Sequence, residues 1–332
     1  MCELTVDQIL DLKAQGLSNR EIARQYLGKE SRESTIRFLL KQADACKIAA
    51  EMLQEEMETK FQGAKIWIYD TETSPTLSYH FGQFKVFVQP QAIVQEPYML
   101  TWSGKWYGDS NPVVSRALPD YATFTYNQQN DIELITELRD YVDEADVIVA
   151  HNSAFDRGWL NQRCAVHGLT PPSHYIDIDT LKILKKAFSL PSNSLDFSCR
   201  YFQLDNLKLV DHTMALWLRC LGHNCTPEEQ LQGFAEMQHY NDLDVLTLES
   251  LFTTIRPFAK QFPNLGQFYD DGLAHCPKCG STNLIKLDGK FVYASVSAFE
   301  EFRCGDCGCT WRGRKNQNSK ENNVLHFYSP RE

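Results

Sequence analysis

No apolar run in this chain approaches the roughly 18 residues that span a bilayer, so a membrane role is not expected. The opening residues, MCELTVDQIL, lack the basic stretch, apolar segment and small-residue cleavage site of a secretory leader, and the cytoplasm is the expected compartment. There is no internal repeat and no long low-complexity segment. An excess of positive charge is also missing: 33 Lys and Arg face 43 Asp and Glu, for a net charge of −10, which at first argues against a polyanionic partner. Nor do the eleven cysteines suggest a disulfide framework. Cys2, Cys46, Cys164, Cys199, Cys220 and Cys225 are scattered singly and read as reduced thiols, whereas Cys276, Cys279, Cys304, Cys307 and Cys309 crowd together, as metal ligands do.

What is present is ordinary globular material, 43% hydrophobic and 23% charged over 332 residues, enough for one sizeable core with appendages. The acidity is uneven. Residues 1–63 hold nine basic and eleven acidic side chains, 64–273 fifteen and twenty-six, and 274–332 nine and six. A core that gathers carboxylates around cations is expected to be acidic, with flanking basic pieces left to meet phosphates.

Residues 4–41 show three stretches of helical periodicity. Gly16 suits a helix C-cap, Ser18 an N-cap with Glu21 three residues on, and Ile22, Ala23, Ile36 and Leu39 share an apolar face. This stretch resembles a helix-turn-helix whose recognition helix runs from about Ser31 to Lys41; residues 19–41 carry six basic and three acidic side chains. The alternative is a small bundle that docks on the core or on a partner. A polar linker follows, to Gly63. IWIYD from Ile66, VFV at 86–88, PYMLTWSGKWYG at 97–108 and VIVAHN at 147–152 read as strands, and 131–143, 154–167, 179–188 and 227–254 as helices. The middle segment is therefore α/β with a mixed sheet.

Asp70 and Glu72 stand two apart at the end of a buried strand, so a period of two places both on one face, where charge is costly without a cation. A second apolar strand runs through His151-Asn152 to Asp156 in the first turns of a helix; compensation of the helix N-terminus is the plainer role for that carboxylate. Tyr240 and Asp244 lie four apart on a long helix and share its face.

Asp-x-Glu, then His-Asn-x-x-Phe-Asp, then Tyr-x-x-x-Asp-Val, in this order over about residues 64–258, resembles the three motifs of the DEDD 3′–5′ exonucleases of the ribonuclease-H-like superfamily. SLDFSCRYFQLDNLK and YNDLDVLTLESLF look like the stand-alone phage and bacterial members, which would place the chain in bacterial or phage-infected cytoplasm. The resemblance implies a ribonuclease-H-like mixed sheet flanked by helices, and two Mg²⁺ or Mn²⁺ ions about 4 Å apart held by Asp70, Glu72, Asp156 and Asp244. Asp70 would bridge the two ions. Glu72 and Asp244 would complete the site of the activated water, and Asp156 would support the other ion. Thr71, Asn152 and Phe155 match substrate-lining positions. Tyr240 fits the tyrosine subclass, although His239 stands at the spacing of the histidine subclass; helical geometry puts Tyr240 about 40° from Asp244 and His239 about 140° away.

Cys276-Pro-Lys-Cys279-Gly and Cys304-Gly-Asp-Cys307-Gly, separated by 24 residues, resemble a zinc ribbon, whose four thiolates close a structural Zn²⁺ shell. Cys309 is a rival ligand by proximity, but it breaks the knuckle spacing. The ribbon's partner is nucleic acid, through Lys286, Lys290, Arg303, Arg312, Arg314 and Lys315, or else a protein. The expected layout is 1–45 helix-turn-helix-like, 46–63 helical linker, 64–270 exonuclease domain, 271–315 zinc ribbon and 316–332 flexible tail. The expected activity is removal of nucleotides from 3′ ends of single-stranded DNA. RNA, structure-directed endonuclease action and a non-catalytic nucleic-acid-binding adaptor are the rivals.

Overall fold

The reciprocal cap that Ser18 and Glu21 announce is formed: the Ser18 hydroxyl accepts from Glu21 N at 3.3 Å, and the Glu21 carboxylate accepts from Ser18 N at 2.7 Å. The computed structural model describes residues 6–28, 33–41, 63–82, 84–108, 110–204, 213–294 and 296–318, and the chain divides into two units, Met1–Gln62 and Gly63–Glu332. In the first, α1 (Val6–Ala14), α2 (Asn19–Tyr26) and α3 (residues 33–41) enclose Ile9, Ile22, Ala23 and Ile36, with Leu39 partly buried. Gly16 follows α1 with φ +90°, a conformation that favours glycine. Glu33 pairs with Arg20 at 2.9 Å and with Arg37 at 2.7 Å. Ser31 and residues 42–62, which include most of the expected linker, lie outside the described residues.

The second unit is built on a five-stranded sheet. Its strands in chain order are β1 (Ile66–Thr73), β4 (Met99–Trp106), β5 (Val114–Ala117), β6 (Val147–Ala150) and β7 (Ile176–Asp179), arranged β5-β4-β1-β6-β7. Two short strands, β2 (Leu77–Ser78) and β3 (Ile93–Gln95), pair apart from it. β1 is central, antiparallel to β4 and parallel to β6, so the sheet is mixed as expected. The first four residues of β1, Ile66 to Tyr69, are hydrophobic and buried because both faces of the strand are covered. Trp67 and Tyr69 join Leu134, Leu138 and Val142 of α4 (Ile132–Glu144) and Leu160 of α5 (Ala154–His167) in one layer. Ile66 and Ile68 join the other layer, with α6 (Thr180–Ala187), α7 (Leu195–Tyr201) and the second half of α9 (Pro227–Ile255); α8 (Met214–Cys220) packs in the first layer. Gly104 of β4 has no side chain because the Trp67 ring occupies that space: a Cβ there would lie 2.1 Å from it.

Polar groups are interleaved with the apolar side chains beneath α9. In register with Asp70 and Ile68 of β1, β4 offers Ser103 and Lys105. Ser103 donates to Asp242 at 2.7 Å, buried Lys105 pairs with Glu249, and Glu249 also accepts from Gly108 N at 2.9 Å. Fully buried Asp131 likewise ties β4 to α5, accepting from Met99 N at 2.9 Å and from Arg163 at 2.8 and 2.7 Å.

Two expectations need correction. VFV at 86–88 is not a strand: among the described residues no strand pairs with it, and Val86 and Phe87 are exposed. At the other end, β8 (Leu284–Ala294), β9 (Ser297–Cys304) and β10 (Thr310–Asn316) form a three-stranded antiparallel sheet. β10 therefore takes Asn316 from the expected tail, whose residues 319–332 lie outside the described residues. Among the described residues, no helix is long and apolar enough to cross a membrane.

Candidate active site

Because β1 alternates, Asp70 and Glu72 continue the Ile66–Ile68 face beneath α9. There they meet Asp244, which is 8% exposed and sits one residue before Val245, which with Leu248, Leu251 and Phe252 forms the apolar face that anchors the helix. Carboxylate oxygens of Asp70, Glu72 and Asp244 all lie within 4.8 Å of one another. Three like charges at that separation repel strongly unless a cation or protons intervene. An all-oxygen set of this kind suits Mg²⁺ or Mn²⁺ better than zinc.

Two further side chains of α9 complete the cluster. Burial and the charge of Asp244, followed by those of Glu72 and Asp70, push the Tyr240 phenol well above its ordinary value, and its hydroxyl donates to Asp244. His239 points elsewhere and is exposed. Asn241, fully buried, donates its amide to Asp70 at 2.6 Å. The sequence reading passed over Asn241; its only signal is a position three residues before Asp244, on the same helical face.

Asp156 does not join this cluster. Thr71 points to the opposite side of β1 from Asp70 and Glu72, and there Asp156 accepts from Thr71 N at 3.1 Å and from its hydroxyl at 2.8 Å. Burial pushes the Asp156 carboxyl up to about 7 despite these hydrogen bonds. Thr71, expected to line the substrate groove, is thus buried with both donors committed to Asp156. Asn152 and Phe155 are exposed beside it. Asn152 adopts φ +65° in the turn that starts α5, with its backbone N–H on Asp179 at 3.1 Å, a left-handed conformation that asparagine tolerates. Phe155 is 46% exposed, edge-on to Trp159. His151 contacts the Thr180 hydroxyl at 2.9 Å, and burial holds its imidazole below the ordinary value.

The cysteines form a second candidate metal centre, with Sγ atoms of Cys276, Cys279, Cys304 and Cys307 mutually within 4.8 Å. The two knuckles repeat one geometry. Gly280 N reaches Cys276 O at 2.9 Å and Gly308 N reaches Cys304 O at 3.1 Å, with φ +77° and +75° at the two glycines. Cys276 N then bonds Ser281 O, and Cys304 N bonds Cys309 O, so Cys309 occupies the place of Ser281. Its Sγ nevertheless lies 3.5 Å from Cys276 and 3.4 Å from Cys307. Burial raises the Cys304 thiol, but backbone amides of Cys307 and Asp306 and the neighbouring thiols bring it down to about 7, as suits a metal thiolate.

The mixed sheet order with helices on both faces fits a ribonuclease-H-like fold, and the carboxylate cluster lies at the end of its central strand. Residues 125–215 match the model of an exonuclease family, RNase_T. That span contains Asp156 and stops short of Asp70, Glu72, Tyr240 and Asp244. No curated protein matches the chain. Among solved structures, the matches include the Aedes aegypti Nibbler EXO domain, at 11% identity and TM-score 0.29, over 61% of this chain and 82% of that one. Another is the Mos1 strand transfer complex, at 10% identity and TM-score 0.15, over 74% of this chain and 78% of that one.

Proposed function

We propose that this chain is a metal-dependent 3′–5′ exonuclease of the tyrosine subclass, acting on single-stranded DNA. The observation that supports this most is the convergence of Asp70, Glu72 and Asp244 within 4.8 Å. These three would hold one divalent cation, and Asp156, on releasing Thr71, would serve a second. Magnesium or manganese bound there supplies Lewis acidity for water and for the leaving oxygen. Asn241 fixes one oxygen of Asp70. Tyr240, held by Asp244, would orient the attacking water. Exposed Asn152 and Phe155 offer an amide and a stacking face to the terminal nucleotide. The four cysteines Cys276, Cys279, Cys304 and Cys307 would hold a structural zinc. The ribbon and the N-terminal helices, in a helix-turn-helix role, would retain the nucleic acid.

The test is digestion of a 5′-labelled single-stranded DNA and the matching RNA, with Mg²⁺, with Mn²⁺ and with chelator. A metal-dependent ladder shortening from the 3′ end of the DNA, and lost in Asp70→Ala, is expected. RNA digested in its place moves the substrate to RNA. Intact strands in every lane, with binding retained, make the protein an adaptor.

A further inference from the structure

The segment between β1 and β4 carries side chains that neither the fold nor the carboxylate site uses. It leaves the sheet at Ser74, whose backbone N–H bonds Tyr98 O at 2.8 Å while its hydroxyl accepts from Tyr98 N at 2.9 Å. That root is two residues beyond Glu72, about 7 Å of extended chain. The pairing continues through β2 and β3, with Tyr79 N on Ala92 O at 2.8 Å, and beyond it lies a projecting tip. Tyr79 is 78% exposed, Phe84 88%, Phe87 84% and Phe81 completely. A water-exposed group of four aromatic rings is rare on a protein surface without a partner. The tip is also free of negative charge: from Thr73 to Gln95 there is no Asp or Glu, and Lys85 and His80 are its basic side chains, in a segment otherwise strongly acidic.

We propose that this arm is a stacking platform for unpaired bases of the substrate strand, engaging nucleotides upstream of the one held at Asp70, Glu72 and Asp244. The inference rests on the nuclease reading above for what the strand is doing there. The occupant must present flat apolar faces while carrying negative charge, and unpaired bases on a phosphate backbone meet both requirements. Stacking is tolerant of sequence because every base has a π face. Without carboxylates, the arm adds no repulsion of its own toward phosphates. Glutamines at 89 and 91, both exposed, add neutral donors and acceptors.

The test compares the full-length protein with a variant carrying Tyr79→Ser, Phe81→Ser, Phe84→Ser and Phe87→Ser. All four positions are exposed, so the fold should be retained. Substrates are oligothymidylates of increasing length and the p-nitrophenyl ester of thymidine 5′-monophosphate, which is too small to reach the arm. KM of the parent protein should fall as the oligonucleotide lengthens. The variant should lose that dependence, with KM on long strands raised roughly tenfold or more, while kcat and ester hydrolysis hold. Unchanged KM at every length overturns the inference; if the variant's oligomeric mass changes with it, the arm is a contact between copies. Stacking is read separately in chelator, by quenching of a 2-aminopurine oligonucleotide. Quenching lost in the variant without hydrolysis by either protein sustains the arm and sinks the nuclease; quenching equal in both sinks the arm.

Discussion

The amide of Asn241 and the carboxylate of Asp70 meet at 2.6 Å across the interface between α9 and β1, so the helix that supplies Asp244 also aims a ligand on the strand. A partner of this kind orients a metal-binding carboxylate and holds its charge in place, and its loss typically costs ten- to a hundredfold in metal affinity or activity. Asn241→Ala is expected to shift the Mn²⁺ dependence of the rate to higher concentration by about that factor. Asn241→Asp should do more harm, because it adds a fourth negative charge. A metal titration unchanged by either substitution would remove Asn241 from the site.

Asp156 should make the metal-free protein sensitive to pH. Its folded pKa of about 7 lies above the ordinary value near 4, so the folded state holds the proton more tightly than the unfolded chain. The stabilisation is complete below pH ~4 and is lost as pH rises to and through ~7. In chelator, the melting temperature is expected to decline between pH 5 and pH 8, with Asp156→Asn flattening the decline. If the variant and the parent keep the same slope, the carboxyl is not protonated in the folded protein.

Tyr240 and His239 separate the two subclasses. Tyr240→Phe keeps the ring packed edge-on to Trp217 and removes only the hydroxyl on Asp244. Turnover should drop about a hundredfold or more if that group positions the water, whereas His239→Ala at an exposed site should leave it intact. The opposite pattern, read by single-turnover kinetics, would assign the role to the histidine.

The cysteine cluster makes a stoichiometric prediction. Cys304→Ser should take bound zinc from one per chain to none, while Cys309→Ser should keep it; elemental analysis decides, and zinc lost with Cys309 would make that thiol the ligand. The loss should also lower thermal stability. The Tyr269 ring stacks on His275 at 3.9 Å and occupies the space over Gly280 and Gly63, joining the first knuckle to the chain just before β1.

The three-carboxylate cluster was legible because its signals are local: a two-residue period on a buried strand and a four-residue period on a long helix. The position of Asp156 was not, since it depends on which side of β1 the following helix packs, and the alternation that joins Asp70 to Glu72 also turns Thr71 away. The helix at 227–254 was found nearly to its ends, Thr226 and Glu229 closing its first turn. Strands β5 and β7, four residues each, and α7 and α8, seven each, are too short for periodicity to mark. The VFV segment misled because apolar composition alone does not say whether a neighbouring strand is there to accept its hydrogen bonds.

The polar groups beneath α9 set the register of the whole site. A helix seated only on aliphatic side chains can slide by a turn and still find oil on both sides. Here a shift of one turn would part Lys105 from Glu249, Ser103 from Asp242 and Asp70 from Asn241 together, leaving charged and polar groups stranded in the interior, where losing one partner of a buried ion pair alone costs about 3–5 kcal/mol. The chain therefore has one permitted setting of this helix, and that setting brings Asp244 opposite Asp70 and Glu72 before any cation arrives.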